Sequence, residues 1–285
     1  MGEPRVPPRG MIVDYHMHLR GAPANGSEPL VLTAETVERF VEVAAGKGID
    51  EIGFTEHVYY FHQTEHVWRL PYHLERCSYD LDAYVGAVLE GKSRGLPVKL
   101  GLEVDFVREQ QAELAELIEP YPWDFLLGSV HEVLQVAVDQ EPGIWDRLSV
   151  EEVWRGYFRD LAHLARSGHV DVLAHPDLAK IYGRRPEPEI VAELHNEIAE
   201  ACADAGVAVE VSTAGLRKPV GELYPDESLL AAFRQRGVPI TTASDAHTSE
   251  LVGFELGQAV ELARRVGYET VSVFEGRRRR QEALG

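Results

Sequence analysis

The sequence predicts an α/β fold, a closed barrel of seven parallel strands with helices outside it. Three observations carry that prediction. Short apolar runs alternate with helix-spaced runs seven times, which calls for parallel strands and crossover helices. The composition, 45% hydrophobic and 26% charged over 285 residues, suits one large folded domain. Each apolar run ends in histidines, carboxylates or small polar groups. An open doubly wound sheet fits the alternation too, but it gathers its ligands at one crevice. Polar groups at every strand end favour the barrel, whose strand ends share one mouth.

Residues 11–13 read as the end of a buried strand that delivers Asp14-Tyr15-His16-Met17-His18, and strand alternation puts His16 and His18 on one face. Beyond a loop rich in Gly, Pro, Asn and Ser at 21–29, Val37, Phe40, Val41 and Ala44 take helical spacing. Thr33 is the expected N-cap, and Gly46 and Gly48 the stops. The second strand, 51–54, ends in Thr55-Glu56-His57. The aromatic segment 58–78, with His62, His66 and His73, is too long for a simple connector and is expected to be a lid or binding loop. A helix through Leu81, Tyr84, Val85, Val88 and Leu89 precedes the third strand, 98–102, which ends in Glu103-Val104-Asp105.

A helix over 109–119 stops at Tyr121-Pro122, and the buried strand 124–130 delivers His131. Ser149 and Glu152 form a capping box for the helix of Val153, Tyr157, Leu161 and Leu164, which Gly168 ends. The fifth strand, 170–174, ends in His175-Pro176-Asp177. Ile190, Leu194, Ile198 and Cys202 mark a helix that closes at Gly206, and the sixth strand, 207–211, leads to Ser212-Thr213-Ala214-Gly215-Leu216-Arg217. A helix with Leu229, Leu230 and Phe233 precedes the seventh strand, 238–243, which ends in Ser244-Asp245-Ala246-His247.

The formal net charge of −19 repels a phosphate backbone, so no polynucleotide partner is expected. Arg277, Arg278, Arg279 and Arg280 read as a solvated extension. The expected division is therefore a flexible extension at 1–10, one barrel domain at 11–275 and a basic tail at 276–285. Cys77 and Cys202 make no disulfide framework, and no apolar run approaches the roughly 20 residues of a membrane span. A cytoplasmic protein with no membrane partner is expected.

Collected at the strand ends are His16, His18, His57, Glu103, His131, His175, Asp245 and His247. Any one of them reads equally well as a satisfied core histidine or a loop-capping carboxylate; the whole set does not. A tetrahedral zinc takes about four ligands, so this set implies at least two ions, with Glu103 free to bridge them. Imidazole with carboxylate suits Zn, Fe or Mn. His163, His169 and His195, on or beside helices, read as solvated, and the three loop histidines are open.

These strand ends, with the runs Gly101-Leu102-Glu103-Val104-Asp105 and Gly128-Ser129-Val130-His131, resemble the PHP (polymerase and histidinol phosphatase) superfamily, and within it the monofunctional histidinol-phosphatases. The resemblance runs from about Ile12 to Phe254. It implies a distorted (β/α)7 barrel whose trinuclear metal centre hydrolyses a small phosphate monoester, L-histidinol phosphate in histidine biosynthesis. By position, His16, His18, Glu103 and Asp245 would hold one ion, Glu103, His131 and His175 a second, and His57 with His247 a third. Arg217 would grip the phosphate. The chain departs from the family at Ala24, where members carry a histidine that completes the third site.

The chemistry expected is attack on phosphorus by water that has lost a proton between two divalent cations. Glu103, Asp245, His247 and Arg217 are the expected catalytic residues, Arg217 because a planar guanidinium binds two phosphate oxygens. Lys180 and Arg184 are secondary candidates for the substrate, against a plain surface charge. The competing readings are a phosphodiesterase of the same superfamily, a metal-dependent amidohydrolase and a metal-binding module without turnover. An amidohydrolase commonly carries a modified lysine after its fourth strand, where this chain has His131.

Overall fold

The computed structural model describes residues 10–20, 30–134, 136–139 and 144–285. Seven parallel strands form the barrel: β1 (Val13–Asp14), β2 (Glu51–Phe54), β3 in two segments (Val98–Leu100 and Glu103–Asp105), β4 (Leu127–Ser129), β5 (Val172–Leu173), β6 (Ala208–Ser212) and β7 (Ile240–Ala243). Consecutive strands are neighbours throughout, for example Ile52 opposite Val98 and Val104 opposite Gly128. The first segment of β3 pairs with β2 and the second with β4, so the barrel is two sheets hinged at residues 101–102. On the other side β7 meets β1: Tyr15 N donates to Thr242 O at 3.0 Å, and Asp14 Oδ1 accepts from Ser244 N at 2.8 Å.

Glycines open room inside this small barrel. A Cβ on Gly53 or Gly101 would lie 2.8 Å from the Phe125 ring, which fills the interior and stacks on Tyr15 at 5.1 Å. The two glycines therefore let an aromatic side chain occupy a space too narrow for four ordinary strand residues.

Seven helices cover the strands: α1 (Ala34–Gly46), α2 (Leu81–Ser93), α3 (Gln111–Ile118), α4 (Val150–Arg166), α5 (Pro188–Ala205), α6 (Glu227–Gln235) and α7 (Leu256–Val266). Thr33 caps α1 by accepting from Thr36 N, and Ser149 with Glu152 forms the reciprocal capping box of α4. Gly206 ends α5 at φ 70°, a left-handed conformation that costs glycine little. The expected α1 stripe faces inward, with Phe40 meeting Phe54 edge-on at 5.5 Å. Burying such a ring contributes about 2–3 kcal/mol. Strands β4 and β5 are shorter than their apolar runs, because the runs record burial while strand pairing lasts only as far as neighbours stay in register.

Arg277, Arg278, Arg279 and Arg280 are exposed, as expected of a solvated segment, but the segment is the turn and second strand of a hairpin and not a free tail, which is a correction. Strands β8 (Thr270–Glu275) and β9 (Arg278–Ala283) pair antiparallel, with Phe274 opposite Arg279. Val271, Val273 and Phe274 are buried, and Phe274 stacks on Phe125 at 5.6 Å. Arg277 pairs with Asp171 at 2.9 Å, just before β5, and Arg279 donates to Gly206 O, just before β6. The hairpin thus closes the end of the barrel where the strands begin, and its arginines meet the chain at strand starts. Among the described residues no helix is long and apolar enough to cross a membrane.

Candidate metal centre

At the opposite end, where the strands finish, all eight expected ligands converge. Glu103, fully buried at the start of the second β3 segment, divides them. Its Oε2 lies 3.2 Å from His16 Nε2, 3.8 Å from His18 Nε2 and 2.9 Å from His57 Nδ1. Its Oε1 lies 3.4 Å from His131 Nε2 and 3.3 Å from His175 Nε2. Asp245 Oδ1 closes the first group, 3.6 Å from His16 Nε2 and 3.4 Å from His18 Nε2. His247 stands at the mouth with 41% of its side chain exposed, and its ring lies 4.2 Å from that of His18.

Four sets of three ligand atoms lie close enough to share an ion: His16/His18/Asp245, Glu103/His131/His175, His18/His57/His247 and His57/Asp105/His131. Asp105 was not among the expected ligands. It was within reach of sequence reasoning, because strand alternation puts residues 103 and 105 on the same face. His18 Nε2, His57 Nδ1 and Asp105 Oδ2 are buried without a well-aligned hydrogen bond, although carboxylate oxygens lie close to both imidazole nitrogens. Leaving such atoms bare costs about 1–3 kcal/mol each, and coordination to a cation satisfies them. The donor set therefore fits transition-metal ions.

Electrostatics agree. Burial works against the Glu103 charge, yet His57 and His16 beside it hold its pKa well below the usual carboxylate range. Burial also opposes charge on His16, but Glu210, Asp245 and Glu103 outweigh it and lift that imidazole well above its ordinary value. His131 is pushed up to about 10, burial being overcome chiefly by Asp105. The cavity floor is thus a concentration of negative charge seeking cations.

Buried carboxylates behind the ligands orient them. Glu210, in the middle of β6, accepts from His16 Nδ1 at 3.0 Å and from His175 N at 2.7 Å. Glu56 accepts from His18 Nδ1 at 3.3 Å and from Leu19 N. His175 and Asp245 sit at positive φ, 23° and 52°, conformations that cost non-glycine residues about 1–3 kcal/mol. Glu210 holds the first in place, and Arg217 the second, its Nη2 donating to the Ser244 and Asp245 carbonyls at 2.8 Å each. Sequence reading passed over Glu210, although a glutamate inside the apolar run Ala208-Val209-Glu210-Val211 is itself a signal.

A cavity of about 870 Å³ opens over this floor, walled by Tyr59, Tyr60, Tyr72 and His73 of the 58–78 segment, by Tyr79 just after it, and by Glu132 and Asp139. Of the open loop histidines, only His73 turns inward; its ring packs 4.8 Å from Tyr59 and 4.9 Å from Trp68. His62 and His66 are exposed and face Asp80 and Glu113, away from the ligands. His195 is buried, 3% exposed, and not solvated as expected. Arg217, Lys180 and Arg184 are not on the wall. Lys180 is fully buried, 2.7 Å from Asp177 Oδ2, and Arg184 is exposed. Arg217 Nη1 is buried without a partner. Ala24 lies outside the described residues.

Residues 30–214 match the model of the PHP domain, and they hold His57, Glu103, His131 and His175. The chain belongs to the PHP-domain family. Its first and last ligand pairs, His16/His18 and Asp245/His247, flank the matched segment and are brought to it by the β1–β7 contact. Among PHP relatives, the probable histidinol-phosphatase of Deinococcus radiodurans is 32% identical over 239 residues, 83% of this chain and 90% of that protein. The histidinol-phosphatase of Lactococcus lactis is 25% identical over 93% of this chain and 94% of that one. The crystal structure of histidinol phosphate phosphatase from Lactococcus lactis, complexed with zinc, L-histidinol and phosphate, shares the fold with a TM-score of 0.74 at 22% identity, covering 94% of this chain and 98% of that one.

Proposed function

We propose that the protein is a histidinol-phosphatase, a phosphoric monoester hydrolase that converts L-histidinol phosphate to L-histidinol and phosphate. The relatives named for that activity support the substrate. The observation that carries the chemistry is the division of Glu103, one oxygen toward His16, His18 and His57 and the other toward His131 and His175. Two or three ions of zinc, iron or manganese would be held: one by His16, His18, Glu103 and Asp245, one by Glu103, His131 and His175, and one by His57 and His247. Bound there, divalent cations supply Lewis acidity, which acidifies water and neutralises charge on the phosphoryl group.

The chain's own residues do the rest. Asp245 Oδ1, 3.4 Å from both His18 Nε2 and His247 Nδ1, takes the proton of the attacking water. Asp245 then returns that proton to the leaving alkoxide, while His247 stays with His57 as a ligand. Arg217 stands behind the wall, anchored on the Asp245 carbonyl, and would have to turn its unpaired Nη1 inward to meet a phosphate oxygen. The aromatic wall keeps bulk water from the ester.

The test is a turnover screen of the purified, metal-loaded protein on histidinol phosphate, nitrophenyl phosphate and bis(nitrophenyl) phosphate. Highest kcat/KM on histidinol phosphate is expected. Preference for the diester would put a phosphodiesterase in its place, and no turnover of any would leave a binding module.

A further inference from the structure

Glu132 directly follows His131, a ligand on the cavity floor, and begins a short hairpin, Glu132–Val133 with Val136–Ala137, that rises beside the mouth. Its carboxylate is 27% exposed, lines the cavity, and lies 3.2 Å from Nδ1 of the buried His73. Burial lowers the pKa of His73 and pushes the Glu132 carboxyl up to about 7, so the pair neutralises itself poorly and a cationic group beside Glu132 would favour its charged form. Asp139 lines the same wall, and no lysine or arginine ion pair reaches Glu132 among the described residues. Three cations line the wall, Arg20 over the Tyr60 ring, Arg76 over the Tyr72 ring, and Lys218, and none of them forms an ion pair with Glu132. A phosphatase cavity gains nothing from a carboxylate for holding the phosphate itself, because the two repel. An anion placed next to the floor suits a substrate with a positive charge close to its ester oxygen.

We infer that Glu132 is a specificity-determining residue that binds the ammonium group of the substrate, while Tyr59, Tyr72 and His73 receive its ring. The inference rests on the proposed substrate, whose ammonium is two carbons from the ester oxygen and whose imidazole lies one carbon further on. Glu132 lines the same cavity as Glu103, His131 and His175, so a phosphate held over those three would leave the ammonium on the side of the neighbouring Glu132. The rings beyond it, Tyr59 and Tyr72 with centroids 5.8 Å apart and His73 against both, offer flat apolar contact to an imidazole. A carboxylate–ammonium contact in such a partly desolvated wall is a charge-assisted hydrogen bond, of the kind that discriminates strongly against an analogue lacking the group.

The experiment compares histidinol phosphate with imidazolylpropyl phosphate, the same ester without the amino group, in wild type, Glu132→Gln and Glu132→Asp, each with metal content measured. Wild type should favour the aminated ester at least tenfold in kcat/KM, mainly through KM. Glu132→Gln should lose that preference while keeping its rate on imidazolylpropyl phosphate and its metal, and Glu132→Asp should recover part of it. Equal turnover of both esters by wild type, an unchanged preference in Glu132→Gln, or a Glu132→Asp as indifferent as Glu132→Gln would overturn the assignment. Wild type that hydrolyses nitrophenyl phosphate but neither imidazole ester would overturn the substrate reading itself.

Discussion

The Glu210 carboxylate accepts from His16 Nδ1 at 3.0 Å, and so turns His16 Nε2 toward Glu103 and Asp245. Its second oxygen holds the backbone of His175, whose side chain belongs to the other half of the centre. One buried carboxylate therefore braces ligands of both halves. Glu210→Ala should weaken metal binding about 10–100-fold, the usual cost of removing such a support, with the circular dichroism spectrum retained. Chelator competition checks it.

Glu103 is the carboxylate shared between the His16/His18 group and the His131/His175 group. Glu103→Ala should lower both occupancies together, and turnover with them. Elemental analysis after metal reconstitution checks it; loss of one ion alone would show that Glu103 does not bridge.

Arg217→Ala should cut turnover at least tenfold while metal content and Tm stay near wild type, if the unpaired Nη1 serves the phosphate. Its Nη2 bonds to Ser244 and Asp245 allow a different result. Metal lost in parallel with activity would make Arg217 a support for the strained Asp245 backbone rather than a phosphate ligand.

Lys180→Met should destabilise the fold by about 3 kcal/mol in urea denaturation, because it strands the buried Asp177 carboxylate. Burial already pushes Asp177 up to about 6 against the pull of Lys180. The double variant Lys180→Met/Asp177→Asn should recover much of the loss. KM for the substrate should be unchanged, since Lys180 is off the cavity wall.

Burial pushes His195 down to about 4, and Lys180 and Arg185 add to that against Asp226. Its unfolded pKa is near 6.5, so between pH 6.5 and 4 the unfolded chain binds a proton the folded one refuses. Stability from this group is complete above pH 6.5 and falls as pH drops, by about 3 kcal/mol in all. His195→Gln should lose less stability than wild type between pH 7 and 5, as read by urea midpoints at both.

What this sequence determined by itself is what short-range physics decides. Thr33, the Ser149–Glu152 box and Gly206 act within one helical turn, and alternation along the extended run that follows β1 puts His16 and His18 on one face without reference to the rest of the chain. Strand ends could be pooled into one site because a parallel barrel sends all of them to the same mouth. Tertiary structure decided which polar groups face that mouth and which serve the fold. Residues alike in type or charge took opposite fates: His73 turned inward against Tyr59 and Trp68 while His62 and His66 stayed in solvent, and Lys180 met Asp177 in the core while Arg184 remained outside. The arginines at 277–280 carry no local sign of pairing, yet β9 lies against β8, whose Phe274 reaches the barrel interior. Lys180 has its carboxylate three residues away, but what buries the pair, and the Leu223 carbonyl that also accepts from Lys180, comes from far along the chain and is in place only once the barrel has closed.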